Sequence, residues 1–187
     1  MTPFIRVQGR AYPLPLRNVD TDLIIPAAHL KTIQRSGLGR HAFETLRANA
    51  SNIFDNPKFA GAPILIALDN FGCGSSREHA AWALVDLGVR AIIAPSFSDI
   101  FSGNAFKNGI ATVALDQSAV ETLLVDAGEH EILVDLEKLE VSSTADHRFG
   151  FAIDDFRRDC LMAGHDEIAL TLALEPAIRA YEARVGI

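Results

Sequence analysis

The chain is poor in the features that mark secreted, membrane and cluster-binding proteins. Among its 187 residues there are two cysteines, Cys73 and Cys160, and they form no C-x-x-C pair. An iron–sulfur cluster takes about three or four thiolates, so this chain cannot hold one alone, and two unpaired thiols favour a reducing compartment. No run approaches the roughly 20 apolar residues of a membrane span, and the first residues lack a signal-peptide pattern. We therefore expect a cytoplasmic protein with no membrane segment.

Basic side chains are also scarce. Lysine and arginine together number 17, against 24 aspartates and glutamates, which gives a formal net charge of −7. Nucleic-acid surfaces need clustered Lys and Arg, and no such cluster occurs, so a nucleic-acid partner is disfavoured. Small anions remain acceptable ligands, because one arginine at a helix start can outweigh a diffuse negative surface.

The order of apolar runs and polar breaks predicts one α/β domain over residues 1–187. Buried runs alternate with helical patterns in the middle of the chain, which favours parallel strands, and period-two alternation follows, which suits antiparallel strands. The predicted strands are a pair around Phe4 to Leu16, then Ile64 to Leu68, Ala91 to Ala94, Ala111 to Leu115, Glu131 to Leu136, Glu140 to Ser143 and Arg148 to Ile153. The predicted helices are Arg77 to Leu87, Asp99 to Lys107, Ser118 to Ala127, Asp154 to Ala163 and Pro176 to Arg184.

The most informative segment runs from Asn70 to Trp82, with the sequence NFGCGSSREHAAW. It joins a predicted strand to a predicted helix through Gly72 and Gly74. Glycine tolerates positive φ and lets a ligand approach the main chain, while the first N–H groups of the helix are unpaired and partly positive. A carboxylate or phosphate group is well suited to such a place.

Two interpretations of this turn stand side by side. Ser75 precedes Glu78 by three residues, and S-x-x-E ahead of an apolar run is the signature of a helix capping box. The same entrance also carries a second hydroxyl on Ser76 and the guanidinium of Arg77, which is more polar chemistry than a cap needs. Capping and catalysis can coexist at one site.

Familiar catalytic and nucleotide-binding motifs do not fit the turn. The sequence lacks the lysine of a Walker loop and the third glycine of a Rossmann fingerprint. It also lacks the G-x-S-x-G elbow of serine hydrolases, because Arg77 stands two residues beyond Ser75. Cys73 with His79 is a further alternative, a nucleophilic thiol beside a base, but spacing alone gives no geometry for that pair.

A family resemblance emerges from the longer motifs. GCGSSREHAAWAL followed by GVRAIIAPSFSDIFSGNAFKNGI resembles the small-subunit family of 3-isopropylmalate dehydratase, in the aconitase superfamily. NVDTDLIIPAAHLK resembles a second signature of that family, and FRRDCLMAGHDEIALTL with AIRAYEA resembles its C-terminal end. The resemblance therefore extends over nearly the whole chain.

The resemblance implies a fold and a reaction. The fold is the swivel β/β/α domain of aconitases, with a mixed sheet, flanking helices and C-terminal antiparallel strands. The reaction is that of a hydro-lyase in leucine biosynthesis, which converts 2-isopropylmalate to 3-isopropylmalate through the alkene 2-isopropylmaleate. The 4Fe-4S cluster of the enzyme would lie on a large subunit, so the implied partner is that subunit and this chain would bind no cofactor.

The resemblance also assigns roles to residues. Ser75 would be the catalytic base, as an alkoxide. The substrate-binding residues would be Gly74, Ser76 and Arg77 in the turn, Asp22 in the second signature, and Leu30, Lys31, Ile33 and Arg35 in the loop from His29 to Leu38. Lys31 and Arg35 would face a carboxylate, and Leu30 or Ile33 the isopropyl group. The plainer interpretations are a solvated turn at Asp22 and an exposed loop after His29.

Two alternative functions stay open at this point. One is the small subunit of a related hydro-lyase acting on homoaconitate, citraconate, maleate or another 2-hydroxy diacid. The other is a non-catalytic protein that captures a carboxylate between Gly74 and Arg77. The sequence offers no metal site, because the histidines at 29, 41, 130, 147 and 165 show no ligand spacing.

Overall fold

A computed structural model describes residues 1–186, and strands and helices alternate along most of them. The strands are β1 (Arg6–Gly9), β2 (Ala11–Leu14), β3 (Ile64–Ala67), β4 (Ala91–Ala94), β5 (Ala111–Ala114), β6 (Ile132–Asp135), β7 (Glu140–Ser143) and β8 (Arg148–Gly150). The α-helices are α1 (Thr21–Ile24), α2 (Glu44–Arg47), α3 (Glu78–Leu87), α4 (Asp99–Lys107), α5 (Gln117–Asp126), α6 (Asp155–Ala163), α7 (Glu167–Ala173) and α8 (Glu175–Val185). None of these helices is long and apolar enough to cross a membrane.

One sheet is parallel throughout, in the order β2-β3-β4-β5. Its two central strands are buried along their whole length, which is why they read as unbroken apolar runs. Alternate residues of β3 enter different clusters: Leu65 packs into one, and Ile64 and Ile66 into the other. The parallel sheet therefore has a hydrophobic layer on each face.

The second sheet is antiparallel, in the order β1-β6-β7-β8. In β7 the residues alternate between half-buried and buried, as expected of a sheet that covers a core with one face. Val134 and Val141 contribute that face to the cluster that also holds Val120 and Leu123 of α5. The predicted α/β class is confirmed, and the parallel and antiparallel pairings are divided between two sheets.

The predicted N-terminal strand pair is wrong in its pairing, although both strands exist. β1 pairs with β6 and β2 pairs with β3, so adjacent strands of the chain belong to different sheets. Gly9 marks the change of sheet, and a Cβ there would lie 3.0 Å from Cδ of Pro63. The short helices α1, α2 and α7 were not expected, whereas β4 and α4 have the predicted bounds.

The opposite hydrophobic cluster lies under α3 and α4. It joins Ala80 and Leu84 of α3 to Phe101 of α4, and it also contains the fully buried Phe43 before α2. The loops that follow β2, β3 and β4 emerge at the carboxyl edge of the parallel sheet. Ligands bind preferentially at that edge in open α/β sheets.

Candidate active site

The turn after β3 is held by backbone hydrogen bonds to both neighbouring loops. Phe71 N donates to Ser96 O at 3.0 Å, and Ser98 N donates back to Phe71 O at 3.0 Å. On the other side, Gly72 N donates to Val19 O at 2.7 Å, and Thr21 N donates to Cys73 O at 3.0 Å. The turn therefore continues the pairing of the sheet beyond the ends of its strands, and backbone hydrogen bonds hold it on both sides.

Two glycines in the turn are required for different reasons. Gly72 has φ +75°, and a Cβ there would lie 2.1 Å from Cγ of the buried Phe101. Gly74 has φ +88°, but a Cβ there would make only ordinary contacts, 3.4 Å from Cβ of Asp20 and 3.9 Å from Oγ1 of Thr21. Gly72 is thus fixed by packing and by backbone conformation, and Gly74 by conformation alone.

The hydroxyls of Ser75 and Ser76 face solvent at the entrance of α3. Both residues are exposed, and neither hydroxyl has a hydrogen-bond partner among residues 1–186. The backbone of Ser75 is nevertheless fixed, because Thr21 Oγ1 donates to its carbonyl oxygen at 2.9 Å. Two exposed hydroxyls are therefore available to an incoming ligand.

The capping-box interpretation of Ser75 and Glu78 is wrong. Arg77 is the N-cap residue and Glu78 is the first residue of α3, so Ser75 lies two residues before the cap. No side chain caps this helix. Its first N–H groups therefore keep their partial positive charge for a ligand near the two serines.

Arg77 and Asp22 form an ion pair across the turn. Nη1 of Arg77 donates to Oδ1 of Asp22, which is about half exposed, whereas the arginine is mostly buried. Asp20 fixes the segment from the other end, because its Oδ1 accepts from Leu23 N at 2.7 Å and caps α1. Since a guanidinium has five donors, the pair orients Arg77 and leaves donors for a carboxylate.

The geometry argues against a nucleophilic Cys73. Burial, reinforced by the nearby Asp20 carboxylate, raises the pKa of its thiol, and a reactive thiolate needs the opposite shift. His79 is not placed as its base, because Nε2 of that imidazole is 2.9 Å from Thr32 O. Cys73 contributes to the turn through its backbone.

His79 and Trp82 are site-shaping residues that the sequence did not reveal. Through its bond to Thr32 O, His79 ties the loop after residue 29 to α3, and the Arg35 guanidinium lies over the Trp82 ring at 5.1 Å. The i, i+3 spacing of His79 and Trp82 on one helix face was the available signal.

Asn108 at the end of α4 braces the start of α3. Its Nδ2 donates to Oε1 of Glu78 at 2.9 Å. This hydrogen bond is the main cause of the lowered pKa of Glu78. Its effect is larger than the opposing effect of burial, which raises the pKa. Glu78 is therefore a structural carboxylate that also complements the positive end of the helix.

The predicted loop residues take different positions. Leu30 packs against the core cluster under α3. Lys31 is exposed, and Ile33 is 94% exposed, so the apolar side chain of Ile33 is almost entirely in contact with solvent. Arg35 lies against α3 over the Trp82 ring. The structure brings Ser75, Ser76, Arg77 and Asp22 together at one entrance and places the loop beside it, and the assigned roles stay predictions.

The thiols of this chain do not fit an iron–sulfur cluster. Cys73 is half-buried in the turn and Cys160 is buried in α6, where burial raises its pKa. Within residues 1–186, no set of three potential metal ligands includes a cysteine. One set consists of His29, His41 and Glu44, which the sequence spacing did not indicate.

The two histidine rings of that set are stacked. Their centroids are 3.8 Å apart with an interplanar angle of 17°. Burial, together with the neighbouring His29 and Arg40 charges, lowers the pKa of His41 against the opposing effect of Glu44. Nε2 of His29 contacts Oε2 of Glu44 at 2.5 Å.

Comparison with known proteins agrees with this architecture. The family model described as the aconitase C-terminal domain matches residues 1–118. The chain is 60% identical to a 3-isopropylmalate dehydratase small subunit of Novosphingobium aromaticivorans, over 99% of this chain and 92% of the relative. It is 61% identical to the protein of that name in Erythrobacter litoralis, over 98% of this chain and 92% of the relative.

A solved structure has the same fold. The crystal structure of a 3-isopropylmalate dehydratase from Methanocaldococcus jannaschii superposes with a TM-score of 0.72 at 28% identity, covering 95% of this chain and 99% of that one. The sequence identity and the matching fold agree over almost the full chain. The chain therefore belongs to the family of 3-isopropylmalate dehydratase small subunits.

Proposed function

We propose that this chain is the small subunit of a 3-isopropylmalate dehydratase, a hydro-lyase of leucine biosynthesis. With a large subunit it interconverts 2-isopropylmalate and 3-isopropylmalate by dehydration and rehydration through 2-isopropylmaleate. The observation that carries the proposal is the pair of exposed, unpartnered hydroxyls beside Arg77 at an uncapped helix start. The reaction is inferred from membership of the family. The hydroxyls and the guanidinium of the turn are groups that can take part in it.

The role proposed for Ser75 is removal of the weakly acidic C–H proton of the substrate. A serine hydroxyl ionises only when its anion is stabilised, and the uncapped N-terminus of α3 provides partial positive charge for that purpose. The cation of Arg77 adds to it. Because Thr21 Oγ1 holds the carbonyl oxygen of Ser75, the main chain that carries the hydroxyl is held before the substrate arrives.

Substrate binding is assigned to the neighbouring groups. The Ser76 hydroxyl and the backbone at Gly74 would donate to one carboxylate, and the Arg77 fork would bind it through the donors that Asp22 leaves available. Asp22 acts as a positioning residue, since it contacts the guanidinium. Lys31 and Arg35 would meet the second carboxylate, and Leu30 and Ile33 the isopropyl group.

The cofactor and the location follow from the same assignment. This chain has two cysteines, and among the described residues no set of potential metal ligands includes either of them, so we assign the 4Fe-4S cluster to the large subunit. There the cluster would act as a Lewis acid. The large subunit and a hydroxy-diacid substrate are then the partners, in the cytoplasm, with no nucleic acid or membrane. We also propose that residues 1–187 act as one domain, of which Ile187 lies outside the described residues.

Reconstitution tests this function. The purified chain is mixed anaerobically with its cluster-loaded large subunit, and the alkene absorbance is followed with 2-isopropylmalate, with each subunit alone as a control. Turnover in the mixture only is the expected result. Turnover of homoaconitate or citraconate instead would move the assignment to a related hydro-lyase. A complex that binds diacids and transforms none would favour the carboxylate-binding alternative.

A further inference from the structure

A cluster of three potential metal ligands lies beside the loop that follows His29, outside the serine turn. The ligand atoms offered by His29, His41 and Glu44 all lie within 4.8 Å of one another. Zinc and other divalent first-row transition metals bind imidazole nitrogen and carboxylate oxygen at about 2.0–2.2 Å. The ligand atoms around one such ion are therefore roughly 3–3.5 Å apart. Side-chain rotations must close the remaining gap.

The chain places these three residues on local structures that are tied together. His29 ends a 3₁₀ helix (Ala27–His29) and His41 ends another (Gly39–His41), while Glu44 begins α2. Phe43 N donates to Ile24 O at 2.9 Å, which fixes the backbone between the second histidine and the glutamate. Phe43 itself is fully buried and adopts φ 57°, a left-handed conformation that bulky residues rarely take. The cluster thus stands on an ordered backbone.

Two hydrogen bonds at the cluster involve atoms that can act as metal ligands. Nε2 of His29 meets Oε2 of Glu44 at 2.5 Å, and His41 Nε2 accepts from Arg40 Nε at 3.0 Å. The His41 nitrogen therefore presents a lone pair, which is the form that binds metal. Arg40 is exposed, and its guanidinium must turn away from the His41 nitrogen when an ion binds there.

The chemistry of the donor set limits the ion. Two imidazoles and one carboxylate suit divalent first-row transition metals, and zinc sites of this composition keep a further position for water or another ligand. Mg²⁺ and Ca²⁺ prefer oxygen donors and fit poorly. Glu44 is about half exposed, so an ion can enter from solvent.

We propose that His29, His41 and Glu44 bind one divalent transition-metal ion of the zinc type. Because His29 precedes and His41 follows residues 30–38, the ion joins the two stems of that loop. Coordination requires the stacked imidazole planes to splay so that both nitrogens point to one atom. Metal binding would therefore replace the ring stack with coordination bonds that connect the two ends of the loop.

Metal titration of the full-length, tag-free chain tests the site without any activity measurement. Co²⁺ is added to the metal-free chain while its visible absorption is followed, and Zn²⁺ affinity is measured by competition with a chromophoric chelator. The wild-type chain is expected to bind one equivalent of each ion, and Zn²⁺ is expected to raise its Tm. His41→Gln and Glu44→Gln should each weaken Zn²⁺ binding by about tenfold or more.

The control is His130→Gln, since His130 lies outside the cluster, is half-buried, and its Nδ1 is 3.2 Å from Thr144 Oγ1. That variant should keep wild-type affinity. Glu44→Gln changes an exposed side chain and is expected to fold even if His41→Gln does not. The proposal is overturned if the wild-type chain binds no stoichiometric Zn²⁺, or if Glu44→Gln binds it as tightly as the wild-type chain does.

Discussion

The turn over residues 70–77 and the loop over residues 30–38 lie side by side but are built differently. Backbone hydrogen bonds to the loops after β2 and β4 hold the turn on both sides. The loop is tied to α3 by two side chains, through the hydrogen bond of His79 and the ring of Trp82. A rigid turn suits groups that must meet a reacting atom, and a peripheral loop suits recognition of a substituent.

Replacing Ser75 by Ala should have the largest effect. If the turn supplies the base, kcat of the reconstituted enzyme should fall by about 10³-fold, within the range for loss of a general base, while KM changes little. The measurement is steady-state kinetics with a constant amount of large subunit. Ser36→Ala places the same change in the loop and should leave kcat unaltered. Equal losses in the two variants would remove the distinction between the regions.

A paired glycine experiment compares how firmly the two regions are packed. Gly72→Ala should lower the free energy of unfolding by about 2–4 kcal/mol, because the new Cβ overlaps Phe101 at a positive φ. Gly37 in the loop has φ +84° and nothing within 4 Å of an added Cβ, so Gly37→Ala should cost about 1 kcal/mol. Urea unfolding followed by circular dichroism measures both. A larger cost at position 37 would contradict the comparison.

Changing Arg77 to Lys tests the binding role of the turn. Lysine keeps the charge and loses the planar fork that serves Asp22 and a carboxylate together, so kcat/KM should fall by about 10–100-fold. Asp22→Asn should cost less than about tenfold, since it disturbs only the orientation of the guanidinium. Arg148→Lys, at the exposed Arg148–Glu140 pair, is the matched control and should change nothing.

His79→Phe should loosen the loop while keeping ring packing on Trp82, whose centroid lies 4.5 Å from that of His79. Loss of the bond to Thr32 O is worth about 0.5–1.5 kcal/mol, so KM should rise about two- to tenfold with kcat nearly constant. His130→Phe is the control. A drop in kcat without a change in KM would mean that His79 acts on the chemical step at the turn and not on substrate binding by the loop.

The smallest expected effect concerns the brace at the start of α3. Asn108→Ala removes the hydrogen bond that lowers the pKa of Glu78, and should reduce stability at neutral pH by about 1 kcal/mol. A carboxyl with a depressed folded pKa contributes stability above its unfolded pKa and loses that contribution as pH falls through the folded value. The difference from wild type should therefore shrink below about pH 4.

Exposed partners give the matched control for that experiment. Gln117→Ala removes a surface hydrogen bond to Glu121 of 2.6 Å, and should change stability little at any pH. A deficit of Asn108→Ala that persists unchanged in acid would mean that Glu78 is not the cause.

The parts of the fold that depend on local signals could be predicted from the sequence. The bounds of β4 and α4 were predicted because a buried apolar run and the helical pattern that follows it are local signals. The separation of β1 and β2 into different sheets was not predictable, because each pairs with a strand more than 50 residues away. Sheet membership is decided by long-range pairing, which adjacent residues do not encode.

The site was predictable in its residue types and less so in its geometry. The glycines, serines and arginine of the turn were identifiable, but Arg77 rather than Ser75 is the N-cap residue of α3. The carbonyl oxygen of Ser75 accepts from Oγ1 of Thr21 in α1, a long-range contact that the local sequence does not encode. The approach of His29 to His41 likewise depends on how a loop folds back, so histidine spacing could not reveal it.

The most direct test of the central claim compares two substrates that differ only in their substituent. Using the reconstituted enzyme, kcat and KM are measured for 2-isopropylmalate and for an analogue with a methyl group in place of isopropyl, in Ser75→Ala and Ile33→Ala variants. We predict that Ser75→Ala lowers kcat for both substrates by the same factor, and that Ile33→Ala changes the ratio of kcat/KM between them while kcat stays near wild type. Loss of discrimination in Ser75→Ala, or an equal loss of kcat for both substrates in Ile33→Ala, would contradict the division of roles between turn and loop.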